Sequence, residues 1–147
     1  MNILDTPFEP LLDSITRLAA QICETPIALL TLVDKKRQWF KSNYGFEDRR
    51  ETPREYAFCA HTILKSDVME VADATQDPRF ENNPLVTGDP AIRFYAGVPL
   101  VVGPNLHIGT LCVIDREPGH LTPDKKESLR LLAKAAVEAL LVHHESA

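Results

Sequence analysis

Residues 92–115 read IRFYAGVPLVVGPNLHIGTLCVID, and this stretch decides the fold. Two long apolar runs, Ile92–Val102 and Leu106–Asp115, flank Gly103-Pro104-Asn105. Apolar runs joined through a Gly/Pro/Asn turn predict an antiparallel hairpin. Upstream, Ile27–Val33 is short, apolar and closed by Pro26 and Asp34, the pattern of a strand buried on both faces. Asp34–Arg37 is a polar turn, and Gln38–Tyr44 returns as a second strand. Val68–Val71 supplies one more brief strand, whereas Gly45–Pro53 is charged, holds Gly and Pro, and reads as an exposed loop.

Helices bracket these strands. Thr6-Pro7-Phe8-Glu9 is a capping box, with Thr as N-cap, Pro at the first helical position and Glu at the third. Phe8, Leu11, Leu12, Ile15, Leu18, Ala19 and Ile22 then recur at helical spacing. The helix stops near Glu24, because Thr25 precedes Pro26. Thr122-Pro123-Asp124 opens a last helix that runs to about His143. That helix carries two apolar stripes. Leu129, Leu132, Ala133, Ala136, Val137 and Leu140 form one; Leu131, Ala135, Ala139 and Val142 form the other. One stripe packs on a sheet, and the second calls for another partner. Either the helix is wedged between the sheet and the first helix, or the terminal helices, 6–24 and 122–143, build a dimer.

Between strands, Arg54–Lys65 is compatible with a short helix around Phe58, Ile63 and Leu64. Asp73–Pro90 is rich in Asp, Asn, Pro and Thr, with one helical turn about Pro78–Glu81. Loops longer than about 15 residues are more often functional than idle. The class that fits this order is α+β, a central antiparallel sheet with helices packed on it.

Composition narrows function by exclusion. The chain has 147 residues, a net charge of −5, 25% charged and 44% hydrophobic residues, which suits one globular domain. The acidic balance argues against a dedicated nucleic-acid binder. The apolar runs fall far short of the roughly 20 residues of a membrane span, and the first residues lack the basic and apolar parts of a signal peptide. Cys23, Cys59 and Cys112 are an odd set without metal-ligand spacing, which points to a reducing compartment and a cytoplasmic protein.

The blocks Leu4-Asp5-Thr6-Pro7, Pro26-Ile27-Ala28-Leu29, Asp34 through Trp39-Phe40-Lys41, Phe58-Cys59-Ala60-His61, Asp73-Ala74 with Asp77-Pro78-Arg79-Phe80, Asn83-Pro84-Leu85-Val86, Ile92–Leu100 and Gly109–Asp115 occur in one order along nearly the whole chain. Together they resemble a GAF domain of the subgroup found at the front of bacterial sensor histidine kinases and diguanylate cyclases. The resemblance implies a single domain over residues 1–147 and a sheet of five or six antiparallel strands. It places helices on one face and a ligand pocket under the long loop on the other. It also implies a regulatory role, a homodimer and an output kinase or cyclase domain in the same or another chain. Met1-Asn2 leads straight into the first motif, and the last helix ends without an output module. An excised domain and a stand-alone protein both fit that pattern.

The expected pocket residues are His61, Asp73, Arg79, Arg93, Tyr95 and Cys112. Each also has a plain reading. His61 and Cys59 are two apart, so on a helix they point apart, which suits packing better than an activated thiolate. Arg93 and Tyr95 share a strand face, where the guanidinium can clamp a carboxylate or phosphate beside the ring; its plain alternative is a salt bridge to Asp73, Asp77 or Glu81. Asp73, Asp77 and Arg79 equally serve turns and caps. Cys112, in mid-strand, reads as a small hydrophobe. Gly109 implies close approach of a backbone or a ligand.

Specialised members of the family are a poorer match. The bilin-binding kind carries Cys followed directly by His in the long loop, and Asp73–Pro90 holds no Cys. The Asn-Lys pattern of cyclic-nucleotide binders is missing from Thr110–Pro123. Free-methionine-sulfoxide reductases use a cysteine cluster whose flanking sequence is not found here. His61 and His107 sit in no haem-ligand pattern. The sequence therefore predicts a non-catalytic sensor of a small molecule, with no catalytic residue, metal or cofactor. Two alternatives stand beside it: a thiol-based reductase using Cys59 or Cys112, and a ligand-free dimerising connector.

Overall fold

Apolar alternation on both sides of a central strand makes this sheet. The structure is a computed structural model that describes residues 10–33, 37–45, 51–53, 68–88, 91–102 and 106–146. Among these, six antiparallel strands form one sheet: β1 (Ile27–Val33), β2 (Arg37–Tyr44), β3 (Glu51–Pro53), β4 (Met69–Val71), β5 (Phe94–Val102) and β6 (Leu106–Asp115), in the order β3-β2-β1-β6-β5-β4. β1 lies between β2 and β6, and Ile27 through Leu32 are all at most 2% exposed, as expected of a strand buried on both faces. The expected β5–β6 hairpin is present, and its register sets Phe94 opposite Asp115 and Gly97 opposite Cys112. It slips once, between Leu100 and Val101, where β6 carries an extra residue.

Two clusters fill the two faces. On one, α1 (Pro10–Cys23) and α3 (Pro123–Ser146) pack on each other and on the sheet. Leu12, Ile15, Ala19 and Ala20 meet Ala28, Leu30, Leu111, Val113, Leu129, Ala133, Ala136 and Leu140 there. On the other face, Ile27, Leu29, Tyr95, Cys112 and Ile114 meet Met69, Val71, Ala74, Phe80, Val86 and Ile92. The second set comes largely from β4 and the segment behind it, so the helices and that segment sit on opposite sides.

Three expectations need correction. Glu51–Pro53, within the stretch read as a loop, is a strand, with Arg37 opposite Pro53 and Trp39 opposite Glu51. Three residues ending in proline suit an edge position, where one strand side makes no ladder bonds. In α1 the core stripe is Leu12, Ile15, Thr16, Ala19, Ala20 and Cys23, whereas Leu11, Leu18 and Ile22 face outward. They stand one residue behind that stripe and so turn about a quarter of a circle away from it. The segment after β4 is also more ordered than one helical turn. It holds a 3-10 helix (Ala74–Gln76), the expected turn closed by the Phe80 and Glu81 amides on the Asp77 carbonyl, and a short α2 (Pro84–Thr87). The capping box at residues 6–9 and the Arg54–Lys65 helix lie outside the described residues. Among the described residues no helix is long and apolar enough to cross a membrane.

Candidate functional site

The face opposite the helices gathers most of the expected site residues, in three different roles. Asp73 leaves β4 in extended conformation and caps the 3-10 helix: its Oδ1 accepts from the Thr75 amide at 3.0 Å and the Thr75 hydroxyl at 2.6 Å. The Ala74 amide beside it donates to the Arg93 carbonyl at 2.6 Å, and the Arg93 amide donates to the Asp115 carbonyl at 3.0 Å. The segment is thereby stitched to the start of β5.

Arg93 holds the far end of that segment. Its Nη1 donates to the carbonyls of Val86 at 2.9 Å and Ile92 at 3.0 Å. The salt bridge to Asp73, Asp77 or Glu81 weighed from sequence is replaced by these backbone acceptors. Asp77 is taken by Arg79 in a two-pronged pair, Nε to Oδ1 at 3.0 Å and Nη2 to Oδ2 at 2.7 Å. That hydrogen-bonded carboxylate raises the Arg79 pKa further, so the group is a permanent cation. The Arg79 guanidinium stands 5.1 Å over the Phe80 ring, and its Nη1 lies 3.7 Å from the Met69 sulfur.

Tyr95 and Cys112 share the apolar cluster beneath, and both are fully buried. The Tyr95 ring crosses Gly97, the residue opposite Cys112; a Cβ on Gly97 would lie 2.3 Å from the Tyr95 hydroxyl. Gly109 owes its identity to a backbone, since a Cβ there would lie 1.9 Å from the Thr31 carbonyl oxygen. His61 and Cys59 lie outside the described residues.

Sequence reasoning missed two features here. Thr31 and Thr110 are fully buried, and their hydroxyl oxygens lie 2.7 Å apart in one hydrogen bond. They extend the Leu29–Cys112 face by one step along β1 and β6. The available signal was a lone threonine within the apolar Ile27–Val33. The second is Glu70, whose Oε2 accepts from the Leu121 amide at 2.8 Å. Two of the cavities lined by described residues lie away from this face. One, of about 330 Å3, runs between α3 and β5 past Val98, Val101, Arg130 and Val137. The other, of about 180 Å3, lies at the sheet end beside Cys23, Phe94, His120 and Lys125. Among the described residues no group of three or more His, Cys, Asp or Glu is placed to hold a metal ion.

The sequence model of the GAF domain matches residues 7–140 of this chain. A cyclic di-GMP phosphodiesterase of Pseudomonas aeruginosa is 49% identical over 118 residues, which are 80% of this chain and 20% of that protein. The chain thus spans about a fifth of the length of that curated relative. Among solved structures, the GAF domain of an Acinetobacter phosphoenolpyruvate-protein phosphotransferase superposes with a TM-score of 0.73 at 15% identity, over 92% of this chain and 82% of the other. The free methionine-R-sulfoxide reductase of Neisseria meningitidis, solved with its substrate, gives a TM-score of 0.73 at 16% identity, over 92% of this chain and 79% of the other. Likeness at these identities establishes a shared fold.

Proposed function

Since this chain belongs to the GAF domain family, we propose that it is the sensory module of a bacterial cytoplasmic signalling protein. It binds a small molecule between the Tyr95–Cys112 face and the segment following Asp73. It passes the result on through α1 and α3, paired with those of a second copy. The observation that carries this reading is the 49% match to one fifth of a cyclic di-GMP phosphodiesterase. The match covers only a fifth of that enzyme, and GAF domains are usually regulatory, so we read the shared part as its regulatory portion. The output governed here is then the turnover of a cyclic dinucleotide, by a domain in the same chain or another.

Mechanistically, the ligand favours one arrangement of segment and helices over another. It shifts their populations only as far as its affinities for the two differ. In this reading Arg93 and Asp73 set the shape of the segment, Arg79 supplies a fixed cation at its rim, and Tyr95 and Cys112 form the floor. His61 is kept as a pocket residue.

One observation favours a second reading, the ligand-free connector. Phe80, Val86 and Ile92 are buried against the very face a ligand would use. Full burial of Cys112 in that apolar cluster disfavours it as the nucleophile of a thiol reductase, which leaves Cys59 as the candidate. Labelling at pH 6 with a fast thiol reagent is expected to find no rapidly reacting cysteine, and a rapid one would revive the enzyme.

Native mass spectrometry of the purified chain tests the reading. A dimer with a reproducible extra mass that vanishes on denaturation supports the sensor. A bare dimer supports the connector. A bare monomer removes transmission through paired helices.

A further inference from the structure

β4 is three residues long, yet it engages the two parts of the molecule that a sensor must connect. Met69 and Val71 point into the cluster shared with Phe80 and Val86, and the Met69 sulfur takes the Arg79 contact. Glu70, between them, points to the opposite face. Its Oε2 accepts from the Leu121 amide at 2.8 Å, and its Oε1 lies 3.7 Å from the Lys126 ammonium. One residue past β4, the Ala72 carbonyl accepts from the Gly119 amide at 3.1 Å.

These contacts fall where α3 begins. Leu121 is buried in the helical-side core, and Thr122 caps the helix: its hydroxyl accepts from the Lys125 amide at 3.2 Å and its carbonyl from the Lys126 amide at 3.0 Å. The first turn of α3 is therefore held from outside by a carboxylate on an edge strand. That strand pairs with β5 over three positions, Met69 to Gly97 through Val71 to Tyr95. A short ladder at a sheet edge opens more readily than the central strands.

We propose that Glu70 is a coupling residue, tying the strand that carries the ligand-side segment to the first turn of α3. A rearrangement at Met69 or Val71 then reaches the helix through the Glu70 carboxylate. This deepens the sensory reading and rests on it. Coupling of this kind is established by a mutant cycle rather than by proximity.

The test is amide hydrogen exchange on the full chain, in the wild type, Glu70→Ala, Met69→Ala and the double variant. Leu121 reports local opening of the α3 start, and Leu30 in β1 reports global unfolding. Loss of a hydrogen bond to a charged acceptor is expected to speed Leu121 exchange by about tenfold in Glu70→Ala. Met69→Ala is expected to speed Leu121 by about threefold or more when Glu70 is present, with no further gain when it is absent. Glu70→Met, which keeps the side-chain length without an acceptor, is read in the same way if the alanine variant does not fold. The proposal is overturned if Met69→Ala accelerates Leu121 equally in both backgrounds, or leaves it unchanged in the native chain. A chain that carries no small molecule removes the sensory reading and leaves this cycle intact. A chain that carries one without coupling at Glu70 keeps the sensor and loses only this route.

Discussion

Glu24 closes α1 in the left-handed region, with φ 58°. The Thr25 amide donates to the Ala20 carbonyl at 3.0 Å and the Glu24 amide to the Gln21 carbonyl at 3.3 Å, the paired bonds that end a helix when its next residue turns left-handed. Glycine takes that conformation without strain, whereas a residue with a Cβ gives up about 1 kcal/mol. The Glu24 carboxylate does meet Lys125 at 3.1 Å, but its side chain is 79% exposed, so the pair offsets little of that cost. Glu24→Gly is therefore expected to stabilise the fold by about 0.5 kcal/mol in urea unfolding. A loss instead would show that the Lys125 pair holds the two helices together. Cys23, just before it, has its thiol pushed from 9.0 up to about 11 by burial, with Lys125 pulling the other way. A raised thiol pKa favours the neutral folded form. Its contribution is complete below the unfolded pKa near 9 and is lost as pH climbs through about 11. Stability should fall across that window, and Cys23→Ala should flatten the fall when urea midpoints are compared.

At the scale of elements, β1 and β6 are pressed together at Gly109. A methyl there would collide with the Thr31 carbonyl, a backbone atom that has nowhere to go while its ladder persists. Gly109→Ala should cost at least about 2 kcal/mol, measured by thermal unfolding. The same strands show why parts of the fold were legible in advance. Ile27–Val33 and the 92–115 hairpin declare themselves through unbroken apolar runs and a turn between them, and the stop of α1 through Thr25-Pro26. Glu51–Pro53 was not legible, because Glu-Thr-Pro is too short to show an apolar alternation and ends in a residue that usually argues against a strand. Phe80, Val86 and Ile92 were not legible as a group, since they come from a turn, a single helical turn and an irregular segment, whose joint spacing follows neither a helix nor a strand. Arg93 shows the limit for the candidate site. Sequence suggests carboxylates as partners for a guanidinium, but every residue owns a carbonyl, so a backbone acceptor such as that of Val86 has no signature. That the strands of Tyr95 and Cys112 pair followed from the hairpin, whereas the Glu70–Leu121 bond joins residues 51 positions apart and depends on how α3 is laid down.

Across the whole molecule, α1 and α3 cover one face of the sheet and still present apolar residues outward. Leu11 is 60% exposed, Leu18 45% and Leu131 59%. The stripe of Leu129, Ala133, Ala136 and Leu140 is used within the domain. On the second stripe Ala139 packs against the domain's own core, whereas Leu131 and Ala135 are exposed. If the chain pairs through them, Leu131→Glu should halve the mass seen by light scattering at micromolar protein and leave the melting temperature of the monomer nearly unchanged. An unaltered mass would move the contact elsewhere.

The position of β1 also governs how the chain acquires its structure. Its partners are β2, close by, and β6, where Ile27 meets Ile114. A ribosome makes β1 early and delivers its second neighbour only after most of the domain has emerged. Until then the most apolar strand keeps an open edge, the condition under which nascent chains stick to one another. Pairing over such a distance also makes for slow folding. A chain released before β6 is complete is thus expected to be a substrate for chaperones and proteases rather than a smaller, working version of this domain.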